Sequence, residues 1–460
     1  MSNASGKSWW KRLVKGLVWA IGVFVVVVFV VHYALWPLAL SKEKVVEKRW
    51  ADAGLPLAGF LDGLPATRTD AAAERLCAAV VPLGFSIKPK TGQDDKGVTK
   101  EKADRWDKVK GAVQDYGKAE LEKPGPEAAA PTGDAAAFLE EAQPALQEVR
   151  GLLQKETPVW ISEPGKGIQG AIPNLLGHLH LARVLVADAL RLHAAHQDGA
   201  ALEDLDAAWR LTEPLEGRPE LISQLIVIAI RKMDVVALRK LDGVPETWRR
   251  RLESWDPSKG MVTSFRAEAA GWEQAARVMS ISTGAAGAVS ARDRFIDWLL
   301  RPYVRLGTAD GVGRTLTLVQ AFREAGACPS DAALPERALA ALESIPWWNV
   351  PGKIGFPGFA SSWLRVKYAR IQIELTDKVL QVKAAKAETG AWPAEVQGIE
   401  ASFCTKEKWT YVAKEGGVSL TFSAPMPSPD LIKGTRYPQE YREGAGVAAA
   451  RPPEETPKKN

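Results

Sequence analysis

The sequence predicts a mainly α-helical protein with one N-terminal transmembrane helix, an irregular helical array and a small C-terminal β-hairpin. Three observations predict this architecture. Residues 16–40 contain no Asp, Glu, Lys or Arg. From residue 134 onward, apolar residues recur at three- and four-residue steps, the period of a helix that is buried on one face. Near the C-terminus, short alternating segments flank a Gly-Gly pair, which indicates a hairpin.

The composition is typical of a folded chain. The 460 residues are 46% apolar and 25% charged, close to the average for globular proteins. The formal net charge is +5, and part of this excess precedes the apolar run, at Lys7, Lys11, Arg12 and Lys15. No other segment combines a concentrated basic face with interleaved aromatic residues, so we expect no nucleic-acid partner.

The apolar run over residues 16–40 is long enough to cross a bilayer, whose hydrocarbon layer is about 30 Å thick. Aromatic residues that favour the membrane interface flank it: Trp9, Trp10, Trp19, Tyr33 and Trp36. We expect Pro37 to mark the outer end of the helix. The run is longer than the apolar core of a cleaved signal peptide, so the sequence predicts an uncleaved signal anchor that binds the lipid bilayer.

The basic residues on the two sides of the run are equal in number, so their count alone does not decide the orientation. Four basic residues precede the run and four follow it: Lys42, Lys44, Lys48 and Arg49. The preceding side contains no acidic residue, and long domains are translocated largely regardless of their own charge. We therefore expect residues 1–15 to form a cytoplasmic tail of a single-pass inner-membrane protein. The main domain is then periplasmic or otherwise extracytoplasmic.

The remaining chain divides into segments by composition. Residues 41–90 are expected to be a membrane-proximal helical segment. Residues 91–133 are expected to be a flexible polar segment with one polar helix around Lys102 to Tyr116. Residues 134–345 form the helical array. Its strongest part, residues 175–241, predicts three helices of about 23, 15 and 22 residues. This local pattern is typical of tetratricopeptide-like arrays, although a strict 34-residue repeat is absent.

Residues 346–443 are expected to contain a Trp-, Gly- and Pro-rich loop, a long helix from about residue 361 to 388, and the β-hairpin. Two small-residue stretches, 282–289 and 307–313, are expected to interrupt the preceding helices. The tail over residues 444–460 is expected to be disordered.

Two passages, residues 175–241 and 350–422, resemble single-pass, membrane-anchored helical proteins of bacteria that have no assigned activity. The end of the second passage also resembles the C-terminal part of type II secretion pseudopilins. The matching residues are Gly390, Trp392 and Pro393, followed by Trp409, Tyr411, Leu420 and Phe422. Pseudopilins carry a Glu five positions into the apolar helix. Residues 16–40 contain no acid, so pilin processing and assembly are not implied.

Four of the five histidines are close together in sequence: His178, His180, His193 and His196. His193 and His196 could share a helix face, but the two-residue spacing of the first pair directs its side chains apart. No Glu or Asp completes a metal-binding spacing, so we expect packing or surface histidines and no metal or cofactor. His32, inside the apolar run, is expected to be passive.

The sequence contains no recognisable catalytic motif. The sequence has no GxSxG arrangement and no SxxK with its partner motifs, and residues 311–315, GVGRT, lack the length and lysine of a phosphate-binding loop. We interpret them as a Gly-rich turn. The carboxylate pairs Glu140/Glu141 and Glu203/Asp204 are expected to be solvated on exposed helix faces. No catalytic residue is therefore assigned.

The three cysteines, Cys77, Cys328 and Cys404, are far apart and form no CxxC pair. We favour three buried small residues, since free cysteine is among the most buried residue types. One bridge in an oxidising compartment is the alternative, and Cys328 with Cys404 is one of its pairings.

Among the seventeen tryptophans, those of the soluble part fall mostly on helical patterns and are expected in the core: Trp160, Trp209, Trp272, Trp298 and Trp363. Trp347 and Trp348 are adjacent in a loop and are the candidate partner contact; alternatively, both rings fold back onto the core. The sequence thus favours a membrane-tethered scaffold or interaction protein of the bacterial cell envelope with an envelope protein partner. The alternative is a hydrolase-type envelope enzyme whose site is not visible in sequence.

Overall fold

The computed structural model is mainly helical. It describes residues 6–89, 97–278, 290–325, 340–341, 344–355, 359–404, 407–414, 416–423 and 437–444. The helices are α1 (Gly6–Asp52), α2 (Ala71–Val80), α3 (Lys100–Leu121), α4 (Gly133–Lys155), α5 (Leu175–Ala194), α6 (Asp198–Glu216), α7 (Leu221–Leu238), α8 (Glu246–Ser254), α9 (Pro257–Val278), α10 (Ala291–Ala325), α11 (Val350–Gly355) and α12 (Phe359–Thr389). The strands are β1 (Trp409–Lys414), β2 (Gly417–Phe422) and β3 (Glu440–Gly444).

Helix α1 is a single helix of 47 residues, and its apolar part is long enough to cross a membrane. The expectation that Pro37 ends this helix is wrong, because Pro37 lies inside it. A proline removes one backbone hydrogen bond, and packing can offset that loss. Here one face of the helix beyond residue 31 is buried at intervals of seven, four, three and four residues: His32, Ala39, Glu43, Val46 and Trp50.

Helix α10 packs beside α1 along this buried face. His32 contacts the carbonyl of Leu299, and the Trp50 indole donates to the carbonyl of Val312 at 3.1 Å. Later residues of α1 thus meet later residues of α10, so the two helices run parallel. This seam connects the apolar N-terminal helix directly to the core of the helical body.

Helix α10 is continuous through residues 307–313, so the predicted interruption there is wrong, and GVGRT is helical rather than a turn. The glycines serve close packing. A Cβ at Gly307 would lie 2.5 Å from Oδ1 of Asn349, and one at Gly313 would lie 3.2 Å from Cγ2 of Val46. Glycine lowers helix propensity by about 1 kcal/mol, which tertiary contacts of this kind can outweigh. The other small-residue stretch, 282–289, lies outside the described residues.

The array is centred on α5, α6 and α7, of 20, 19 and 18 residues, which are joined by short connections. Their facing sides are almost entirely buried and belong to one hydrophobic core that also includes parts of α1 to α4, α9, α10 and α12. At the start of α5, Gly177 allows the helix to approach the backbone of Ser86.

The polar region before α4 contains α3, which begins at Lys100 and includes the expected helix around Lys102 to Tyr116. Trp106, Val113 and Leu121 of this helix are buried in the main core. The following turn surrounds the buried ammonium group of Lys240, which donates to the carbonyl of Gly125 at 2.7 Å. This region therefore packs on the body through both apolar and polar contacts.

The C-terminal sheet has three antiparallel strands in the order β1-β2-β3, so the predicted hairpin is only part of it. Trp409 pairs with Phe422 across the hairpin, and Tyr441 of β3 pairs with Leu420. The sheet and the second half of α12 enclose a separate small core. Strand β3 was missed because its sequence, EYREG, shows almost no apolar alternation. The tail from residue 445 lies outside the described residues.

Candidate functional site

The Trp347-Trp348 turn is held rigidly at its base. The Tyr303 hydroxyl donates to the carbonyl of Trp348 at 2.5 Å. Asn349, which is fully buried, donates to the carbonyl of Gly307 at 3.1 Å. The Trp347 ring is 85% exposed, whereas Trp348 is partly covered. The turn therefore presents an apolar ring to its surroundings on a fixed backbone.

A cleft of about 190 Å³ lies between the 3-10 turn Pro164–Gln169, the start of α7 and the middle of α9. Three carboxylates line it: Glu163, Glu220 and Glu268. Gly167 adopts a positive φ of 55°, and a Cβ there would lie 2.8 Å from Oε1 of Gln274. The tight turn over α9 shapes one wall of the cleft.

The three carboxylates are in different electrostatic surroundings. Burial raises the pKa of Glu268, which accepts a hydrogen bond from the backbone N–H of Leu221. A hydrogen bond from Lys166 lowers the pKa of Glu163. Glu220 is paired with the Arg218 guanidinium through both oxygens. Of the two carboxyl groups with shifted pKa values, Glu268 holds its proton more tightly and Glu163 ionises more readily.

A second, larger cleft of about 420 Å³ lies between the turn after α7 and the second half of α12. Its lysines already have partners. Lys383 donates to the carbonyl of Leu241 at 2.9 Å and pairs with Asp242, and Lys386 pairs with Glu443. The Lys383 contacts join α12 to the turn after α7, and the Lys386 pair joins it to β3.

The expectation that Asp204 is solvated is wrong. It is fully buried on α6, where Nη1 of Arg150 from α4 donates to it at 2.6 Å. Asp188 of α5 is also buried and accepts from Arg191 and Gln143. Burial and the neighbouring Asp188 raise the pKa of Asp204. The cluster connects three helices of the array. Helical periodicity could have indicated the burial of Asp204, because this residue falls on the same helix face as buried apolar residues.

The four array histidines are dispersed. His178 is fully buried against the edge of Trp160, while His180 contacts Phe85 and Trp106. His193 lies between the Asp198 carboxylate and a backbone carbonyl, and His196 ends the helix with a positive φ of 58°. Within the described part of the chain, no three His, Cys, Asp or Glu side chains are grouped so as to hold a metal.

The described cysteines differ in state. Cys77 is a free thiol, and burial raises its pKa to about 11, so little nucleophilic thiolate forms at neutral pH. Cys404 is fully buried and disulfide-bonded. Cys328 lies outside the described residues.

The expectation that Trp298 belongs to the core is also wrong, since its side chain is 37% exposed. Its ring lies 4.0 Å from the His32 ring and 5.4 Å from that of Phe29, measured between centroids. By contrast, Trp160, Trp209 and Trp363 are buried as expected: each is less than 5% exposed. An aromatic cluster thus forms where α10 begins to accompany α1.

Comparisons of the chain with protein-family models, with curated proteins and with solved structures find no match.

Proposed function

We propose that the protein is a membrane-tethered, extracytoplasmic scaffold or interaction protein of the bacterial cell envelope. The supporting observation is the division of α1 into two parts. From Leu13 to Val31 its large apolar side chains are mostly exposed, whereas from His32 onward one face is buried by the body. The first part covers 19 residues, or about 28 Å at 1.5 Å per residue, which matches the hydrocarbon layer. A continuous helix then holds the body at a fixed distance from the membrane.

For the location we propose the inner membrane, with a cytoplasmic N-terminus, an uncleaved signal anchor and a periplasmic body. The disulfide at Cys404 supports an oxidising compartment independently of the flanking charges. An alkaline phosphatase fusion at the C-terminus should be active in cells, and the purified protein should retain its N-terminus by mass. An inactive fusion together with a fluorescent cytoplasmic reporter would overturn this orientation.

We propose that an envelope protein partner binds at Trp347 and Trp348, and that the helical body is a tetratricopeptide-like array. Exposed tryptophans on a rigid backbone contribute strongly to protein interfaces, because little conformational entropy is lost on binding. A photo-crosslinking residue at position 347 in cells should yield one discrete protein adduct. The matched control is Leu176, an exposed apolar residue of the array, where no such adduct is expected. Equal adducts at both positions, or none at 347, would count against this contact.

The alternative is a hydrolase-type envelope enzyme, which the cleft around Glu268 favours. A carboxyl group with a raised pKa, Glu268, near one with a lowered pKa, Glu163, suits general acid catalysis. The cleft is open to solvent along one side and small, so we rank this second. Turnover of chromogenic glycoside or ester substrates that Glu268→Gln abolishes and Glu141→Gln leaves unchanged would support the enzyme. The control, Glu141, is an exposed residue paired with Arg105.

A further inference from the structure

We propose that the first three turns of α10 are a second membrane-contacting element, which lies in the outer-leaflet headgroup and upper acyl region beside α1. The inference rests on the proposed membrane-spanning role of α1 and extends it. Its occupant is the lipid bilayer itself.

The position of α10 along α1 is the first argument. The Trp298 ring contacts His32 and Phe29, and Nδ1 of His32 lies 3.1 Å from the carbonyl oxygen of Leu299. His32 is the first described residue of α1 that is buried, and the next is Ala39; between them Tyr33 and Leu38 are still 66% and 57% exposed. The beginning of α10 therefore lies level with the first buried residue of α1, which we take as the level of the outer leaflet.

The exposed apolar surface is the second argument. Phe295 is 50% exposed, and Trp298 and Leu300 are 37% exposed. Further along the same helix, Val312 and Val319 are fully buried in the core. The exposed side chains continue the bare apolar face of α1 rather than forming an isolated patch. Exposure of a continuous apolar surface to water is unfavourable, and the lipid that surrounds α1 would cover this surface as well.

The chemistry of the surface is the third argument. Aromatic rings from both helices gather at one level, namely those of Phe29, Tyr33, Phe295 and Trp298. Such rings favour the membrane–water interface, where their faces contact acyl chains and their edges contact headgroups.

Charges in the first turn of α10 set the depth of this element. Arg292 and Arg294 are exposed there. Ser290 caps the helix, because its hydroxyl oxygen accepts from the backbone N–H of Asp293, and the Asp293 carboxylate accepts from the backbone N–H of Ser290. Each charge at the bilayer centre would cost about 2.5–3.5 kcal/mol on insertion scales, which opposes deep burial. Long arginine side chains can instead extend to lipid phosphates while their methylene stems stay in apolar surroundings. The segment therefore fits the interfacial layer.

The contact would fix the tilt and rotation of the body, which one spanning helix alone leaves free. Tyr303, which holds the Trp347 turn, is five residues beyond Trp298, or about 8 Å along the helix axis. The exposed Trp347 ring would then lie just above the headgroups, so that its protein partner must also reach the membrane surface.

Spin-label depth measurements test the inference on the full chain. The background is Cys77→Ala with the disulfide intact. Two variants each carry one spin label, at Phe295→Cys or at Leu300→Cys. Val25→Cys, on the bare part of α1, serves as the deep reference. Asp242→Cys, whose side chain is 78% exposed on the body, serves as the aqueous reference. The protein is reconstituted alone in phosphatidylcholine/phosphatidylglycerol vesicles, and collisions with oxygen and with a water-soluble nickel chelate are compared.

Labels at 295 and 300 should show a depth between those of the two references, with reduced nickel access. If they match position 242 while position 25 is deep, the lipid contact is wrong and the spanning helix stands. If position 25 is also water-accessible, the proposed anchoring itself fails. The inference would also be overturned if the label at 295 were accessible to nickel in pure vesicles but protected in native membranes. In that case a protein, and not lipid, covers this surface.

Discussion

The ion pair between Glu43 and Arg305 offers a sharp test of the connection between the anchor and the body. Nε of Arg305 donates to Oε1 of Glu43 at 2.6 Å, and a second guanidinium nitrogen donates to the other oxygen. Their side chains are only 8% and 15% exposed. The guanidinium also lies 5.5 Å from the Trp36 ring centroid. This pair therefore joins α1 to α10 on the body side of the proposed span.

Arg305→Gln removes the charge and leaves the buried Glu43 carboxylate uncompensated. Breaking a buried pair from one side costs about 3–5 kcal/mol. At roughly 2 °C per kcal/mol for a chain of this size, the melting temperature should fall by about 6–10 °C. The double variant Glu43→Gln/Arg305→Gln has no stranded charge, so it should recover most of this loss.

The assay is thermal unfolding of the full chain in lipid nanodiscs, followed by circular dichroism. The matched control is Arg75→Gln, because the Arg75–Glu156 pair is about half exposed, at 50% and 46%. Exposed pairs contribute about 0–1 kcal/mol, so its melting temperature should change by less than about 2 °C. The reasoning would be refuted if Arg305→Gln behaved like this control, or if the double variant were no more stable than Arg305→Gln.

Three further outcomes are expected. Gly177→Ala would bring a Cβ against the Ser86 carbonyl, so it should lower the free energy of unfolding by about 1–3 kcal/mol in denaturant titrations. The control, Gly151→Ala, has open space around the added Cβ and should be neutral or stabilising by up to about 1 kcal/mol. Burial lowers the pKa of His178 from 6.5 to about 4, so the unfolded chain binds more protons between these values. Stability should fall as the pH drops from 6.5 towards 4, and His178→Asn should remove part of that slope in the melting temperature. The remainder should persist, because burial also lowers the pKa of His180 to about 4. Thiol alkylation of the denatured, unreduced protein should modify fewer cysteines than the three that are modified after reduction; three before reduction would contradict the disulfide at Cys404.

The candidate sites show how far sequence reasoning extends. Adjacent tryptophans among prolines and glycines singled out Trp347, and its ring is exposed on the surface. The cleft around Glu268 could not be predicted, because its three carboxylates come from segments up to about one hundred residues apart and only folding brings them together. The burial of Asp204 was missed for a related reason: its partner Arg150 lies on another helix.

The sequence by itself determined the properties that depend on local periodicity and hydrophobicity. The apolar run over residues 16–40 predicted a helix. Three- and four-residue spacing predicted α5 to α7, and alternation around a glycine turn predicted the β1–β2 hairpin. These signals lie within a short window, where each residue's preference adds to its neighbour's.

The tertiary structure alone decided where those local elements continue and what they contact. Helix α1 passes Pro37, and α10 passes Gly307 and Gly313, because the seam between the two helices stabilises conformations that local propensity disfavours. The same seam decides that Trp298 faces outward beside His32 instead of entering the core. Long-range packing energies of several kcal/mol exceed propensity differences of about 1 kcal/mol, and no local window of sequence contains both partners of such a contact.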